Sequence, residues 1–566
     1  MQGTRPGLLV YLLLAVIAFG VYAPGAWWGA PHATDSERTR SWGVDDETPL
    51  GPLAEVHNII EPKPDRNYGY PLMYSFITTA AYTPYLAWLK LSGQWTGVSR
   101  VYPFGMEDPV SALRVMTWIA HFVTVFMATG MILATYETGR ILKDRRTGLI
   151  AALFAMTAYP MFYYARSGNV DIPMLFFVAL AIMMFARSMT EGITARHVGW
   201  LGIFTGFALA TKEAAIGIFL PVPFILLVLA WREHTGSRAS WSFWRTPAIG
   251  LAAAFLALGI GSGLFVEPSR YIKHIGEILS HIDMVTEGNI FLPYVYPFTV
   301  EGNIGYLQHA LELLAAIMTW PGLLLAIGGL ILALVRRDRT FHFATLMFVY
   351  LAFIFLTARA PQMRYFLPVS WLLAFPAAWL VSAAMERSSL FLRYGAWLLV
   401  AGIITFNLSR GAGLTWEMLH DSRYEAAGWL AEHTEPGDTI GFFGPSGKLP
   451  PLPAGIDEQA AAFYGGIYAP VATDDDKVEE ILQRWREQRP KYIILVPDLT
   501  SLPGRLYNSA CPPQLCDGML DGSRGFKLEA RFHTEPLFTW PKLPALDYPS
   551  VNPPIHIFSL PDDMAG

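Results

Sequence analysis

The chain has 566 residues, of which 53% are apolar and only 15% are charged, and its net charge is −5. A soluble protein carries about 25% charged residues, so much of this chain must be covered by something other than water. The composition excludes a disordered chain, a coiled coil and a nucleic-acid-binding protein as the main interpretation. The 14% aromatic content with 18 Trp favours a bilayer, where Trp and Tyr lie at the headgroup level.

Eleven apolar runs predict membrane spans. No small-residue cleavage site follows the first run, and more spans do, so we interpret it as a membrane anchor. Several runs are shorter than the roughly 20 residues of a span, so their ends must extend into polar flanks. In chain order the runs are residues 8–24, 110–135, 148–162, 172–186, 198–210, 214–231, 248–265, 313–335, 341–356, 365–381 and 391–406.

Basic residues lie in every second loop, namely those after spans two, four, six, eight and ten. The positive-inside rule then predicts a multi-pass plasma-membrane protein with a cytoplasmic N-terminus and an extracytoplasmic C-terminal part. The fairly apolar segment 70–91 would invert this arrangement if it crossed the membrane. Because Pro71 and Pro84 should break it, we expect it to lie along the outer interface.

Three stretches remain on the predicted outer side: a first loop at 25–69, a second loop at 267–306, and the C-terminal part. We divide the chain into a transmembrane domain (1–408) and a small soluble α/β domain (409–566), in which helices alternate with strands. Cys511 and Cys516 lie in the latter, where a short-loop disulfide and two free thiols are both open. The predicted elements are helices at 424–432 and 478–488 and strands at 439–443, 492–496, 527–532 and 555–558.

Three adjacent carboxylates, Asp45, Asp46 and Glu47, lie in the first outer loop. Charges near a bilayer are costly unless they face a cavity or the interface. Mutual repulsion raises the pKa of at least one of the three if the site is partly buried, which suits a general base. A solvated acidic turn is the alternative.

Two short outer turns carry further charges. Arg166 and Asp171 lie between spans three and four, where Asp171 would either join a site or cap the following helix. Lys212 and Glu213 lie between spans five and six. Neighbours in sequence do not face each other on a helix, so one should face a cavity and the other the interface, with snorkelling of Lys212 as the alternative.

Arg359 and Arg364 make the outer loop between spans nine and ten basic, against the charge rule. Guanidinium groups bind phosphate oxygens in a bidentate manner, so a lipid phosphate at the interface is the expected target. Arg114, near the outer end of span two, could join them. No His or Cys spacing indicates a metal site, and none is predicted.

Six short motifs thus follow one another on one predicted face, and in this order they resemble glycosyltransferase family 39 of the GT-C superfamily. Its members include protein O-mannosyltransferases and the lipid A aminoarabinose transferase. The resemblance covers residues 8 to about 410. The motifs are Asp46-Glu47, Tyr70-Pro71-Leu72, Arg114, Arg166 with Asp171, Thr211-Lys212-Glu213 and Arg364-Tyr365-Phe366-Leu367-Pro368.

The resemblance implies an inverting transfer of a sugar from a polyprenyl-phosphate donor to a hydroxyl acceptor at the outer face. It makes Asp46 the base, with Asp45 as its rival because three acids adjoin. The leaving phosphate needs positive charge rather than a proton. Glu47, the second acid of the pair, is implied as a catalytic residue with Asp46 and Asp45. The implied phosphate-binding residues are Arg364, Arg166 and Lys212, with Arg359 and Arg114 beside them, and the implied supporting residues are Asp171, Glu213 and Tyr365.

The sequence also departs from the family. The acid pair is extended to three, and the segment at Tyr70 lacks the His-Pro-Pro form of the aminoarabinose transferases. The donor sugar, a hexose or a pentose, therefore stays open, as does the acceptor, which is a protein, a lipid or a glycan. Some relatives bind a divalent metal, but no cofactor is predicted here.

Two other functions are compatible with a polytopic chain. A transporter or flippase of lipid-linked sugars should carry polar residues or helix breaks near mid-bilayer, often in repeated halves, and the sequence shows no repeat. A scaffold that displays the C-terminal domain would not explain the charged residues on the predicted outer face. The transferase is therefore the favoured prediction.

Overall fold

The computed structural model describes residues 7–62, 69–233, 241–286, 296–387, 389–443, 449–462, 475–496, 511–538, 551–561 and 564. The first 419 residues are helical wherever they are regular. Two 3-10 turns, Glu213–Ala215 and Met363–Phe366, precede α9 and α16. The helices are α1 (Leu8–Tyr22), α2 (Leu50–Ile60), α3 (Met73–Leu91), α4 (Pro109–Leu142), α5 (Arg145–Thr157), α6 (Met161–Tyr164), α7 (Asp171–Glu191), α8 (Ala195–Leu209), α9 (Ile216–Phe219), α10 (Val222–Glu233), α11 (Trp241–Ser262), α12 (Pro268–Thr286), α13 (Val300–Met318), α14 (Trp320–Val335), α15 (Phe341–Thr357), α16 (Leu367–Met385) and α17 (Leu390–Leu419).

Among the described residues, six helices are long and apolar enough to cross a membrane, or seven if the bent pair α13–α14 is one span. The polytopic helical architecture is confirmed, whereas the count of eleven spans stays a prediction. The segment of α16 is enclosed, with 89% of its apolar window buried, while that of α17 is only 17% buried. Therefore α16 lies at the centre of the bundle, and α17 presents apolar side chains at its periphery.

The predicted span at 313–335 is wrong as one continuous helix. The chain turns by 104° between α13 and α14. Thr319 at the junction has a φ of 66°, which is outside the helical region, and its hydroxyl accepts a hydrogen bond from the backbone N–H of Gly322 at 3.3 Å. Pro321 follows in the first turn of α14, where its missing N–H costs nothing.

The expected break at Pro84 is also wrong. Residues 73–91 form the single helix α3 with Pro84 inside it. A proline in a helix interior costs about 3 kcal/mol, and the packing of α3 against α2 and α4 offsets that cost. Helix α3 is not among the helices that qualify as membrane spans, and its interfacial position stays a prediction.

The two ends of the bundle hold different polar clusters. At one end, Glu137 of α4 accepts hydrogen bonds from Tyr11 at 2.7 Å, Arg140 at 2.7 Å and Arg187 at 2.8 Å. This end therefore joins the start of α1 to two of the basic loops. The part of the first loop that carries Asp45, Asp46 and Glu47, called the acidic loop below, lies at the other end. It contacts His121, which is about 24 Å from Glu137 along α4.

The C-terminal part is a small α/β unit, as the alternating pattern predicts. Its five-stranded sheet has the order β2-β1-β3-β5-β4, with β1 parallel to β2 and β3, and β5 antiparallel to β3 and β4. Helix α17 continues past the predicted boundary at 408, so this unit begins after it. The elements are α18 (Ser422–His433), β1 (Thr439–Phe443), β2 (Asp457–Ala462), α19 (Asp475–Gln488), β3 (Tyr492–Leu495), α20 (Pro513–Leu520), β4 (Lys527–Phe532) and β5 (Ile555–Ser559).

The sequence predicts both α18 and α19 and four of the strands, but it misses β2 and α20. Cys511 and Cys516 form a disulfide at the start of α20, which settles the alternative left open above. Both are fully buried in one of the two apolar clusters of this unit. The bridge therefore closes the start of α20, and the apolar cluster packs this helix against α19 and the sheet.

The C-terminal unit lies directly on the first loop. The indole Nε1 of Trp28 donates to Asp421 at 2.9 Å, and the guanidinium of Arg423 lies 3.8 Å from the ring centre of Trp42. All four side chains are buried. The acidic loop thus lies between the helical bundle and the C-terminal unit. The same interface also joins Gly29 to Tyr424 and Arg38 to Glu458.

Candidate active site

Asp46 is the most enclosed of the three loop carboxylates, and its side chain has no exposed surface. Its Oδ1 accepts hydrogen bonds from the backbone N–H of Thr48 at 3.0 Å and the hydroxyl of Thr48 at 2.5 Å. Its Oδ2 accepts from Nε2 of His121 at 2.9 Å and the backbone N–H of Gly168 at 2.8 Å. Each oxygen already has two donors, which matches the roughly four lone-pair sites of a carboxylate.

Burial alone would raise the pKa of Asp46. The charge and hydrogen bond of His121, together with the hydrogen bonds from Thr48 and Gly168, outweigh burial and lower the pKa to about 2. Nδ1 of His121 lies 2.7 Å from the carbonyl oxygen of Ala26. Both ring nitrogens therefore face acceptors, as in a protonated imidazole. The result is a buried ion pair that fixes the acidic loop to α4.

Gly168 is required for this contact. A Cβ atom at position 168 would lie 2.2 Å from Oδ1 of Asp46 and 2.5 Å from Cγ2 of Thr48. The turn before α7 can therefore bring its N–H to the carboxylate only because residue 168 has no side chain.

Asp45 differs from Asp46 in its backbone conformation, its exposure and its partner. Its φ is 52°, a left-handed conformation that Asp and Asn tolerate better than other residues with a side chain. Its side chain is 36% exposed and forms an ion pair with Arg364. The guanidinium of Arg364 lies 5.3 Å from the ring centre of Tyr365. Its Nε is buried and makes no hydrogen bond with the described residues.

Lys212 and Asp171 form a second ion pair in the same region, with Nζ and Oδ1 2.6 Å apart and both side chains over 90% buried. The ammonium lies 5.7 Å from the ring centres of both Tyr70 and Tyr365, so Lys212 does not snorkel. Asp171 is the first residue of α7 and makes no side-chain cap. Its Oδ2 is buried and has no hydrogen-bond donor among the described residues.

Tyr70 lies where the remaining carboxylates meet. Burial raises its pKa, and the negative charges of Asp171, Glu47 and Glu213 raise it further. Glu47 lies close to this segment, as shown by the residue before Tyr70: a Cβ atom built on Gly69 would be 3.4 Å from Oε1 of Glu47. Glu213 itself pairs with His274 of α12, so it points to the second predicted outer loop.

Three of the predicted phosphate-binding arginines have other contacts. Arg166 is fully buried and donates to the carbonyl oxygens of Val21 and Pro24 at the end of α1. Burial lowers the pKa of its guanidinium to about 9. Arg114 lies in the electrostatic field of His32 and Asp108, towards the C-terminal unit. Phosphate binding by Arg166 and Arg114 stays a prediction, and the contacts of Arg166 favour a supporting role.

Arg359 is held in the same way by main-chain oxygens. It donates to the carbonyls of Tyr296 at 2.7 Å, Phe355 at 3.2 Å and Pro297 at 2.9 Å, and to the side chain of Asn303 at 2.8 Å. These contacts tie the chain before α13 to the end of α15. Its phosphate-binding role also stays a prediction.

Sequence reasoning missed His121, His274, Gly168 and Tyr163. Only His121 has a signal in the sequence, since an ionisable residue inside an apolar helix is costly unless it has a partner. Tyr163 accepts a hydrogen bond from the backbone N–H of Val44 at 2.8 Å, which supports the loop on the other side of Asp45. His121, Gly168 and Tyr163 position the acidic loop, whereas His274 contacts Glu213.

Within the described ranges, no group of three or more His, Cys, Asp or Glu side chains is placed to hold a metal ion. Four of the carboxylates each pair with a basic side chain: Asp171 with Lys212, Asp45 with Arg364, Asp46 with His121, and Glu213 with His274. These residues therefore do not fit a bound metal. The arrangement instead combines two partly satisfied cations with exposed carboxylates, which suits an anionic ligand next to a base.

Comparison with known proteins agrees with this arrangement. The family described as dolichyl-phosphate-mannose-protein mannosyltransferase matches residues 112–258, about a quarter of the chain. No curated protein matches the sequence. The crystal structure of ArnT from Cupriavidus metallidurans bound to undecaprenyl phosphate is similar, with a TM-score of 0.50 and 12% identity over 99% of each chain.

A second solved structure is similar over less of its length. It is the archaeal oligosaccharyltransferase AglB from Archaeoglobus fulgidus in complex with an inhibitory peptide and a dolichol-phosphate, at a TM-score of 0.45 and 13% identity over 87% of this chain and 70% of that one. The family match and the similarity to ArnT confirm the resemblance predicted from the sequence. The chain has the helical fold of GT-C glycosyltransferases.

Proposed function

We propose that the chain transfers a sugar, with inversion, from a polyprenyl-phosphate donor to a hydroxyl acceptor at the outer face of the plasma membrane. The observation that carries this proposal is that Lys212 and Arg364 both lie near the ring of Tyr365, at 5.7 Å and 5.3 Å from its centre, and that Arg364 contacts the acidic loop through Asp45. The description of the matching family supports a polyprenyl-phosphate sugar as donor. The undecaprenyl phosphate bound to ArnT supports the same lipid class.

The two cations act on the leaving group. When the bond between the anomeric carbon and the phosphate oxygen breaks, negative charge develops on that oxygen. A phosphate ester is a weak base and needs no proton, but it needs fixed positive charge in a site from which water is excluded. Lys212 is buried and its ammonium is already oriented by Asp171, so it provides this charge without reorganisation.

The base comes from the acidic loop. Because both oxygens of Asp46 are saturated and its pKa is low, we assign Asp46 the task of holding the loop in place. Asp45 and Glu47 are exposed on either side of it, and they can approach an acceptor hydroxyl. Proton removal by one of them lets the acceptor oxygen attack the anomeric carbon opposite the phosphate, which inverts the configuration.

The test uses purified protein in lipid nanodiscs with radiolabelled polyprenyl-phosphate sugars and a set of hydroxyl acceptors, namely peptides, lipids and glycans. We expect wild type to transfer sugar from one donor class. Lys212→Gln should lower the rate by about 10²- to 10³-fold, because one electrostatic contact to the developing charge is lost. Lys90→Gln, which changes an exposed lysine on α3, is the matched control and should retain the rate.

Two results would overturn the proposal. One is equal rates for Lys212→Gln and Lys90→Gln. The other is the absence of transfer from every donor together with movement of the same lipids across the bilayer, which would indicate a flippase.

A further inference from the structure

The ion pair between Asp45 and Arg364 occupies the place where a donor phosphate would bind. Carboxylates and phosphates approach a guanidinium in the same way, through two oxygens facing two N–H groups. A phosphate oxygen and Oδ2 of Asp45 therefore cannot both contact Nη1 of Arg364. The buried Nε of Arg364, which makes no hydrogen bond with the described residues, is a second donor for a phosphate.

Of the two ion pairs in the site, this one is the easier to open. The side chains of Asp45 and Arg364 are 36% and 12% exposed, whereas those of Asp171 and Lys212 are 4% and 9% exposed. Solvent screens the partly exposed pair and weakens it, while separating a buried pair leaves uncompensated charge. An incoming phosphate therefore displaces Asp45 and leaves Asp171 in place.

The loop is built so that Asp45 can move by itself. The residue before it is fixed by the hydrogen bond from Val44 to Tyr163, and the residue after it by the four hydrogen bonds to Asp46. Only the side chain of Asp45 has to rotate to leave Arg364. The acidic loop keeps its position when it does.

We propose that the donor phosphate displaces Asp45 from Arg364 and that the released Asp45 is the general base of the transfer. This inference rests on the proposed function. Asp45 takes the proton of the acceptor hydroxyl, whose oxygen forms a bond to the anomeric carbon. The bond from that carbon to the phosphate oxygen breaks, and its electron pair leaves on the phosphate, which Arg364 and Lys212 hold. Donor binding thus precedes activation of the acceptor.

Asp45→Asn separates the two tasks of this residue. Asn is isosteric and also tolerates the left-handed backbone of residue 45. With the competitor for Arg364 removed, we expect undecaprenyl phosphate without a sugar to bind about two- to fivefold more tightly. With the base removed, we expect kcat to fall by about 10²- to 10⁴-fold. A residue with only a structural role would weaken both.

The measurement combines the binding of undecaprenyl phosphate to protein in nanodiscs with sugar transfer under the conditions above. Asp35→Asn is the matched control, since Asp35 lies in the same loop, is 42% exposed and has an arginine, Arg38, 3.8 Å away. It should change neither quantity. Asp45→Glu keeps a carboxylate and should restore both competition for Arg364 and most of the rate.

The inference is wrong if Asp45→Asn binds undecaprenyl phosphate no more tightly than wild type, or if it retains the wild-type rate. It is also wrong if Asp45→Glu rescues neither quantity. Failure of the proposed function gives a different result, namely a wild-type protein that transfers no sugar from any donor. In that case the binding comparison alone still decides whether the phosphate displaces Asp45.

Discussion

Arg359 and Arg364 lie in the same short connection between α15 and α16, yet their environments are opposite. The guanidinium of Arg359 donates to three carbonyl oxygens and one side-chain oxygen, and the residue is 1% exposed. Arg364 contacts one carboxylate, and its Nε has no acceptor among the described residues. The sequence predicts phosphate binding for both, whereas the structure shows that the guanidinium of Arg359 is held by several oxygens and that of Arg364 by one carboxylate.

The acidic loop shows the same contrast between a carboxylate with many hydrogen-bond partners and a carboxylate with one partner. Asp46 has four donors and no exposed surface, while the adjacent Asp45 is exposed and has a single partner that an anion can replace. The saturated charges therefore hold their loops in place. A buried polar group without a partner costs free energy, so the buried Oδ2 of Asp171 and Nε of Arg364, which have no hydrogen-bond partner among the described residues, agree with the sugar-phosphate ligand that we propose for this region.

The largest effect on stability is expected for a change at Asp46, whose two oxygens each accept two hydrogen bonds. Asp46→Asn would place an amide N–H against the donors of His121 or Gly168 and leave a buried cation unpaired. Breaking a buried pair in this way lowers the free energy of unfolding by about 3–5 kcal/mol. Chemical denaturation in detergent micelles measures this change in the free energy of unfolding. Asp45→Asn as the control should change stability by less than about 1 kcal/mol, and equal losses would contradict the distinction.

Arg364→Gln should act on catalysis instead. We expect the barrier to sugar transfer to rise by about 2.7–4 kcal/mol, because one contact to the leaving phosphate is lost, with the thermal midpoint unchanged. Arg359→Lys is the matched variant in the same connection. It keeps the charge but loses part of the guanidinium fork, so it should lower stability by about 1 kcal/mol and keep the rate of the folded protein. The reverse outcome would exchange the two assignments.

Acid should weaken the anchor at Asp46. Its folded-state pKa of about 2 lies below the ordinary value of 3.8, so folding favours the ionised form. The resulting stabilisation, about 2 kcal/mol, is complete above pH 4 and is lost as the pH falls to about 2. We expect the stability difference between wild type and Asp46→Asn to narrow over this window. A constant difference would show that the charge of Asp46 does not stabilise the fold.

Much of the architecture follows from local pattern. Apolar runs predict the helices of the bundle because a span must satisfy its backbone internally, and alternation predicts β1, β3, β4 and β5. The proximity of Lys212 to Asp171 and of Asp45 to Arg364 also agrees with motifs that share one face. What fails is local detail that depends on packing, such as the turn at Thr319 and the continuity of α3 through Pro84.

The sequence does not show which charged residues of the site already have hydrogen-bond partners, because those partners come from distant parts of the chain. The sequence predicts phosphate binding by Arg166 and Arg359, but it does not show that the carbonyl oxygens of Val21 and Tyr296 accept hydrogen bonds from them. It predicts Asp46 as a base, but it does not show the donors of His121, Thr48 and Gly168 around that carboxylate. A sequence shows which groups can bind an anion, and only the fold shows which of them are already occupied.

The interface between the first loop and the C-terminal unit has a consequence for synthesis. Trp28, Gly29 and Arg38 find their partners at Asp421, Tyr424 and Glu458, some 400 residues later in the chain. The segment that carries the acidic residues is therefore translated long before the part of the chain that contacts it. During translation, these contacts can form only after the C-terminal unit has been made.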